Sequence, residues 1–206
     1  MPELRPVFST VDARDKILSA ALDAFAEQGF HGAAMRDIAQ RAGVSQGLIP
    51  HHFGDKERLW NMVGERISED FLDFIAPALS PGEITAQSIP HLLEVYMQYW
   101  RAHPAALRVQ LWRVLGALDA ERRLRAERLT ERIVPLFKRA QDAGFVRADI
   151  PAGQAMITTG ALIQYRLHSA LESECALAVT GDTSEDDSQF LRYVFGLIAS
   201  PRLDAR

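Results

Sequence analysis

The stretch MRDIAQRAGVSQGLIPHHFGDKERL, residues 35–59, decides the fold. Two short helices joined by a tight turn fit it. A close helix crossing needs a small residue at the contact, and Ala39 supplies one. Gly43, four residues later, can take the positive φ that such a turn demands. Ile38 and Ala42 anchor the first helix, Val44 the turn, and Ile49 with Phe53 the second. Ile49 and Phe53 are spaced i, i+4 and so point inward together. Ser45 has the chemistry of an N-cap for the second helix. Gln46, Gly47, Leu48, Pro50 and His51 are left facing outward. This is the layout of a helix-turn-helix whose second helix enters the major groove of DNA. The competing reading is a helical hairpin used only for packing.

Working outward, every flanking segment has helical periodicity. Residues 12–29 place Ile17, Leu18, Ala21, Leu22 and Phe25 on one face. Asp12 is positioned as a cap, and Gly29 as a stop. Asp55 caps a long fourth helix that Pro77, Pro81 and Gly82 end. A fifth runs over 84–103, and Pro104 breaks it. Residues 107–118 are almost all apolar and read as a buried sixth helix. Residues 119–143 make a seventh, kinked at Pro135. An eighth opens near Pro151 and puts Ile157, Ala161, Tyr165 and His168 on one face. A loop over 180–187 follows, then a last helix over 190–199 with Ser184 and the acids behind it at its start. The expectation is an all-α chain of about nine helices.

Composition narrows the class. Of the 206 residues, 48% are apolar and 24% charged, which suits a globular protein long enough to bury a sizeable core. No apolar run reaches the length of a membrane span, and residues 1–10 lack the apolar core of a signal peptide, so a cytoplasmic protein with no membrane partner is expected. The lone Cys175 is expected to be a small buried hydrophobe. The net charge of −4, and a first 60 residues without basic excess, do not mark a nucleic-acid binder. The DNA reading therefore rests on the motif. No nucleophile elbow, zinc-protease helix or phosphate-cradling glycine loop is present, so no catalytic residue, cofactor or metal site is expected. The adjacent His51 and His52 point about 100° apart on a helix and do not form a metal pair.

Beyond the motif, the chain resembles the TetR family of transcriptional regulators. The resemblance is carried by Arg36-Asp37-Ile38-Ala39, by Ala42-Gly43-Val44-Ser45 with Gly47, by His51-His52-Phe53-Gly54-Asp55-Lys56-Glu57-Arg58-Leu59, and by Phe25-Ala26-Glu27-Gln28-Gly29-Phe30 ahead of them. It covers about residues 12–72. It implies a DNA-binding head over 1–54, and a ligand-binding and dimerisation domain over 55–206. It also implies a homodimer joined through the last two long helices, a pseudo-palindromic double-stranded operator, and release of the DNA by a small-molecule effector. Two further readings stay open: a regulator-like protein with impaired DNA binding, acting through ligand or protein contacts, and a helical enzyme.

Carried over by position, Arg36 meets the groove or a phosphate, while Ser45, Gln46, Gly47 and Leu48 meet bases and backbone. Gln46 can pair bidentately with adenine. His51 and His52 reach phosphate or sugar, and Lys56 binds phosphate. Lys56 also has a chemical reason to do so. A cation in a first helical turn opposes the dipole, and a bound phosphate would relieve that conflict. Two positions depart from the family pattern. Pro50 stands where a Tyr is common, and with Ser45 as cap its missing N–H would deprive the Gln46 carbonyl of a partner. A distorted or shortened recognition helix is expected. Ala34 stands where a capping Thr is common and forgoes about 1 kcal/mol. For the effector, Tyr96, Met97, Trp100, Trp112, Phe137, Gln164, Tyr165 and His168 are candidate pocket residues; an ordinary core is the alternative. The arginine-rich run 122–128 reads as a solvated, ion-paired face.

Overall fold

Asp12 opens the first helix by accepting the Asp15 N–H at 2.8 Å, which satisfies one of the orphan donors of a helix start. The computed structural model describes residues 12–80, 82–116, 120–181 and 186–201. Among them are ten helices and a lone antiparallel bridge, Val146 to Ala199. They are α1 (Ala13–Gly32), α2 (Met35–Ala42), α3 (Leu48–Phe53), α4 (Lys56–Leu79), α5 (Ser88–Ala102), α6 (Pro104–Leu115), α7 (Ala120–Asp142), α8 (Ala152–His168), α9 (Ala170–Thr180) and α10 (Asp187–Gly196). The helix beyond the expected nine is α9, which directly follows α8 across Ser169, so no glycine or proline marks the break in the sequence. No helix among the described residues is long and apolar enough to cross a membrane.

The chain forms two compact units. The first holds the described residues up to Asp73 together with Ala102–Ala126; the second holds Phe74–Arg101 and Glu127 onward. In the first unit, α1 packs on α2 and on α6. Ile17, Ala21 and Phe25 of α1 and Leu59, Val63 and Ile67 of α4 are fully buried. Asp55 Oδ1 accepts the Arg58 N–H at 2.8 Å and caps α4 as the sequence suggests. Of the three end signals, Pro77 lies inside α4, which stops at Leu79, two residues ahead of Pro81.

In the second unit the core comes from Leu92, Tyr99 and Trp100 of α5, Leu136 and Phe137 of α7, and Ala155 and Ile163 of α8. The α5 start lies four residues later than the periodicity suggests, because Ser88 Oγ accepts the Thr85 N–H at 3.0 Å and organises a turn there. Pro135 sits inside α7 without ending it. Asp186 caps α10 by accepting the Gln189 N–H at 2.7 Å. Ser184, the expected start signal, lies outside the described residues, as does Leu118 at the expected end of α6.

Three expectations about burial are corrected. The α6 segment is not buried all round. Its Val114 and Leu115 are 60% and 79% exposed, because only one face of α6 meets α1. Cys175 is exposed, in a helix α9 that buries almost nothing. Arg125, placed above on a solvated face, is buried, with Nη1 3.7 Å from the Glu121 carboxylate.

Gly64 shows how tightly α6 sits on α4. A Cβ there would lie 2.7 Å from Cζ of Arg113, and Arg113 is buried. Overpacking costs about 1–3 kcal/mol, against about 1 kcal/mol of helix propensity gained over glycine. Gly64→Ala is therefore expected to lower Tm by a few degrees in thermal unfolding. An unchanged or raised Tm would show that the guanidinium moves aside freely.

Candidate nucleic-acid interface

The hairpin forms for local reasons. Gly43 takes φ +66° and ψ +33°, its N–H closes on the Ala39 and Gln40 carbonyls, and Val44 N–H reaches the Ala39 carbonyl at 3.1 Å. This satisfies the last carbonyls of α2 while turning the chain toward α3. Ile38, Ala39, Ile49 and Phe53 are all buried, so α3 is fixed to the unit by its apolar side. A bidentate pair between Arg41 and Glu27, at 2.9 and 2.6 Å, ties the end of α2 to α1. The Arg41 hydrogen bonds hold the Glu27 carboxyl below the usual glutamate range, while burial pushes the nearby Asp23 carboxyl up.

Outside, α3 leaves Pro50 and the two histidines, with polar residues in the turn before it. Arg36, Ser45, Gln46, Gly47, Pro50, His51 and His52 are exposed, and Leu48 is half-buried. Each sequence-nominated position is thus accessible, and those on the turn and α3 form one continuous run. Arg36 Nε lies 3.6 Å from the Asp37 carboxylate, and the His51 and His52 rings meet edge-on with centroids 5.2 Å apart. Lys56 is half-buried, its Nζ 3.4 Å from the His31 carbonyl and 5.0 Å from the centre of the Phe30 ring. It serves the junction of α1 and α4 as well as facing solvent.

Pro50 has the shortening effect read from the sequence, by a different route. α3 begins at Leu48 and has six residues; its N-cap is Gly47, with no side-chain cap. Ser45 is therefore not the cap. Its carbonyl accepts the Leu48 N–H at 3.0 Å in the preceding turn. Sliding the start past Ser45 puts Pro50 third in the helix, where an N–H has no intrahelical partner anyway. The cost of an interior proline is avoided by giving up a turn of helix. Ala34 precedes α2 without a side-chain cap, as the sequence suggests.

The nominated pocket residues fall into several groups. Met97, Trp100 and Phe137 are core of the second unit. Gln164 Nε2 donates to the Tyr96 hydroxyl at 2.7 Å, and burial pushes that phenol's pKa up. Tyr165 and His168 are corrected: both are exposed, because α8 turns Ala155, Thr159 and Ile163 inward and leaves Ile157, Ala161, Tyr165 and His168 on its outer face. Trp112 belongs to the first unit, where its Nε1 donates to the Ala26 carbonyl at 3.3 Å. Its ring lies 3.0 Å from where a Gly29 Cβ would be.

The sequence reading missed Arg113. Its Nη1 donates to the Trp60 carbonyl at 3.0 Å, its Nη2 to Asn61 at 3.2 Å, and its guanidinium lies 4.9 Å over the Trp60 ring. The only signal available was an arginine in a largely apolar helix that also carries Arg108 and Gln110.

Comparison with known proteins agrees with this geometry. The family described as "Bacterial regulatory proteins, tetR family" matches residues 17–62, and "Tetracyclin repressor-like, C-terminal domain" matches residues 89–194. The HTH-type transcriptional regulator RutR of Escherichia coli K12 is 32% identical over 87% of this chain and 84% of its own length. The HTH-type transcriptional repressor AcnR of Corynebacterium efficiens is 48% identical over 50 residues, which span 24% of this chain and 27% of that protein. A TetR family transcription regulator from Marinobacter aquaeolei VT8 shares the fold at 16% identity, with a TM-score of 0.73 over 91% of this chain and 96% of that one.

Proposed function

The chain belongs to the TetR family of bacterial transcriptional regulators, and on that premise we propose that it is a repressor that holds a pseudo-palindromic operator as a homodimer and releases it when a small molecule binds. The family consists of DNA-binding regulators rather than enzymes. One observation carries the reading furthest: α3 is pinned by buried Ile49 and Phe53, while Gln46, Pro50, His51 and His52 stay on the surface. An element anchored on one side, with hydrogen-bonding side chains exposed on the other, suits insertion into a groove. Phosphate contacts from Arg36, Lys56 and the histidines would position it, and Gln46 would read base edges. The cytoplasm, where bacterial DNA lies, is the compartment this function requires.

The test is binding to DNA selected from a random pool by the purified protein, followed by fluorescence anisotropy across a salt series. Specific binding whose log affinity falls linearly with log salt is expected. A protein that enriches no sequence and binds all duplexes alike would refute the reading.

The homodimer is supported by the outer faces of the last helices. Ile157 and Tyr165 on α8 and Tyr193 and Leu197 at α10 are 56%, 52%, 61% and 40% exposed. Exposed large apolar side chains on neighbouring elements mark a partner surface, and in a two-fold dimer the same patch serves both copies. Ile157→Asp is expected to shift sedimentation from dimer to monomer with little change in helical content, since Ile157 packs no core. A variant that sediments unchanged would remove α8 from the interface.

A further inference from the structure

A cleft of about 510 Å³ opens in the first unit, between the end of α1, the start of α4 and the end of α6. Its size falls within the range of small-ligand pockets, roughly 300–1,000 Å³. None of the second-unit residues nominated from the sequence lines it. Three aromatic rings do: Phe30, Trp60 and Trp112. The Phe30 and Trp60 rings are tilted to each other with centroids 5.8 Å apart. Trp112 and Leu115 line the cleft, yet they are 43% and 79% exposed, so an occupant would cover apolar surface that is now wet. The charged lining is Arg113 and Arg122 against Glu57, with His31 beside them, an excess that favours an anion.

We propose that this cleft binds a small aromatic carboxylate, its ring among Phe30, Trp60 and Trp112 and its carboxylate toward Arg113 and Arg122. Flat rings offer the stacking and edge contacts these side chains prefer, and the guanidinium fork matches a carboxylate in geometry and charge. The cleft touches the DNA head through two elements. Its floor is the end of α1, which Arg41 and Glu27 tie to α2, and the start of α4, where Lys56 reaches the His31 carbonyl. Occupancy therefore biases the head, and the proposal's regulatory half rests on the reading of the chain as a ligand-released repressor. By linkage, DNA must weaken acid binding by the same factor that the acid weakens DNA binding.

The test is a fluorescence and calorimetric titration of the full chain with benzoate, 1-naphthoate and indole-3-acetate, with 1-naphthamide as the neutral twin. Trp60 and Trp112 report the event directly. At least one acid is expected to bind at about 1 mM or tighter, and the amide about tenfold more weakly than 1-naphthoate. Leu115→Glu is expected to weaken acid binding by about tenfold or more, since it places a like charge in the cleft at a side chain too exposed to matter for folding. Acid binding should in turn weaken operator binding by about fivefold or more. Failure of all three acids to bind overturns the proposal, as does undiminished binding to Leu115→Glu. If DNA is bound but no acid is, the cleft assignment alone falls. If an acid is bound at the cleft and no DNA is, the binding site stands and the repressor reading falls.

Discussion

Phe53→Ala is expected to unfold the DNA-binding hairpin or leave it too mobile to hold DNA. Phe53 closes α3, is only 2% exposed, and carries the guanidinium of Arg14 at 5.7 Å from its ring. Truncating a buried Phe costs about 3–5 kcal/mol in lost transfer energy and residual cavity. Whole-protein stabilities are about 5–15 kcal/mol, so this is a large fraction of what holds the fold together. α3 has six residues and no side-chain cap, so it cannot persist on helical propensity. Thermal unfolding should therefore show a Tm lower by about 10 °C or an early separate transition, taking about 2–4 °C per kcal/mol for a chain this long. His52→Ala, next to it but exposed, should leave Tm unchanged. A Phe53→Ala protein as stable as the parent would mean that α3 is not anchored through this ring.

Gln46→Ala is expected to act on recognition and not on stability. Gln46 is exposed in the turn that leads into α3 and supports no core. If its amide pairs with adenine, its loss costs about 1–3 kcal/mol, or about 5–150-fold in affinity, and relaxes preference at one base pair of each half-site. The salt slope should stay the same, because no phosphate contact is lost. Lys56→Gln should behave in the opposite way, weakening binding to all sequences and lowering the salt slope by about one. A Gln46→Ala protein with unaltered affinity and unaltered base preference would move readout to other residues.

These two variants use the part of the molecule that was most legible in the sequence. The hairpin, the Asp12 and Asp55 caps and the Gly43 turn all follow from local rules: a small residue at a crossing, a carboxylate at a helix start, a glycine at positive φ. Local rules also foresaw a short α3 but misplaced its start, since a capping Ser45 and a Pro50 tolerated only in the first turn cannot both be met. Pro50 prevailed, because a missing interior hydrogen bond costs more than a missing cap.

Periodicity was less informative about what covers a face. On α8 it grouped Ile157, Ala161, Tyr165 and His168 correctly on one side, but that side points to solvent and Thr159 with Ile163 points inward. An apolar stripe looks the same whether a core or a partner covers it. Arg113, Trp60 and the cleft beside them depend on α6 meeting α1 and α4, helices distant in sequence, and no local pattern announces such a meeting. Residue types alone nominated mostly second-unit residues, Tyr96 and Gln164 among them, and of all the nominated residues Trp112 is the one that lines the cleft. Between Tyr96 and Gln164 the structure shows a part-buried hydrogen bond at 2.7 Å.

The most direct measurement is amide hydrogen exchange with and without a duplex selected from a random pool by the protein itself. Slowed exchange over residues 45–52 and at the start of α2, with the outer face of α8 unaffected by DNA, is the predicted result. Protection confined to other helices, or no duplex that the protein prefers, would contradict the assignment of α3 as the element that reads DNA.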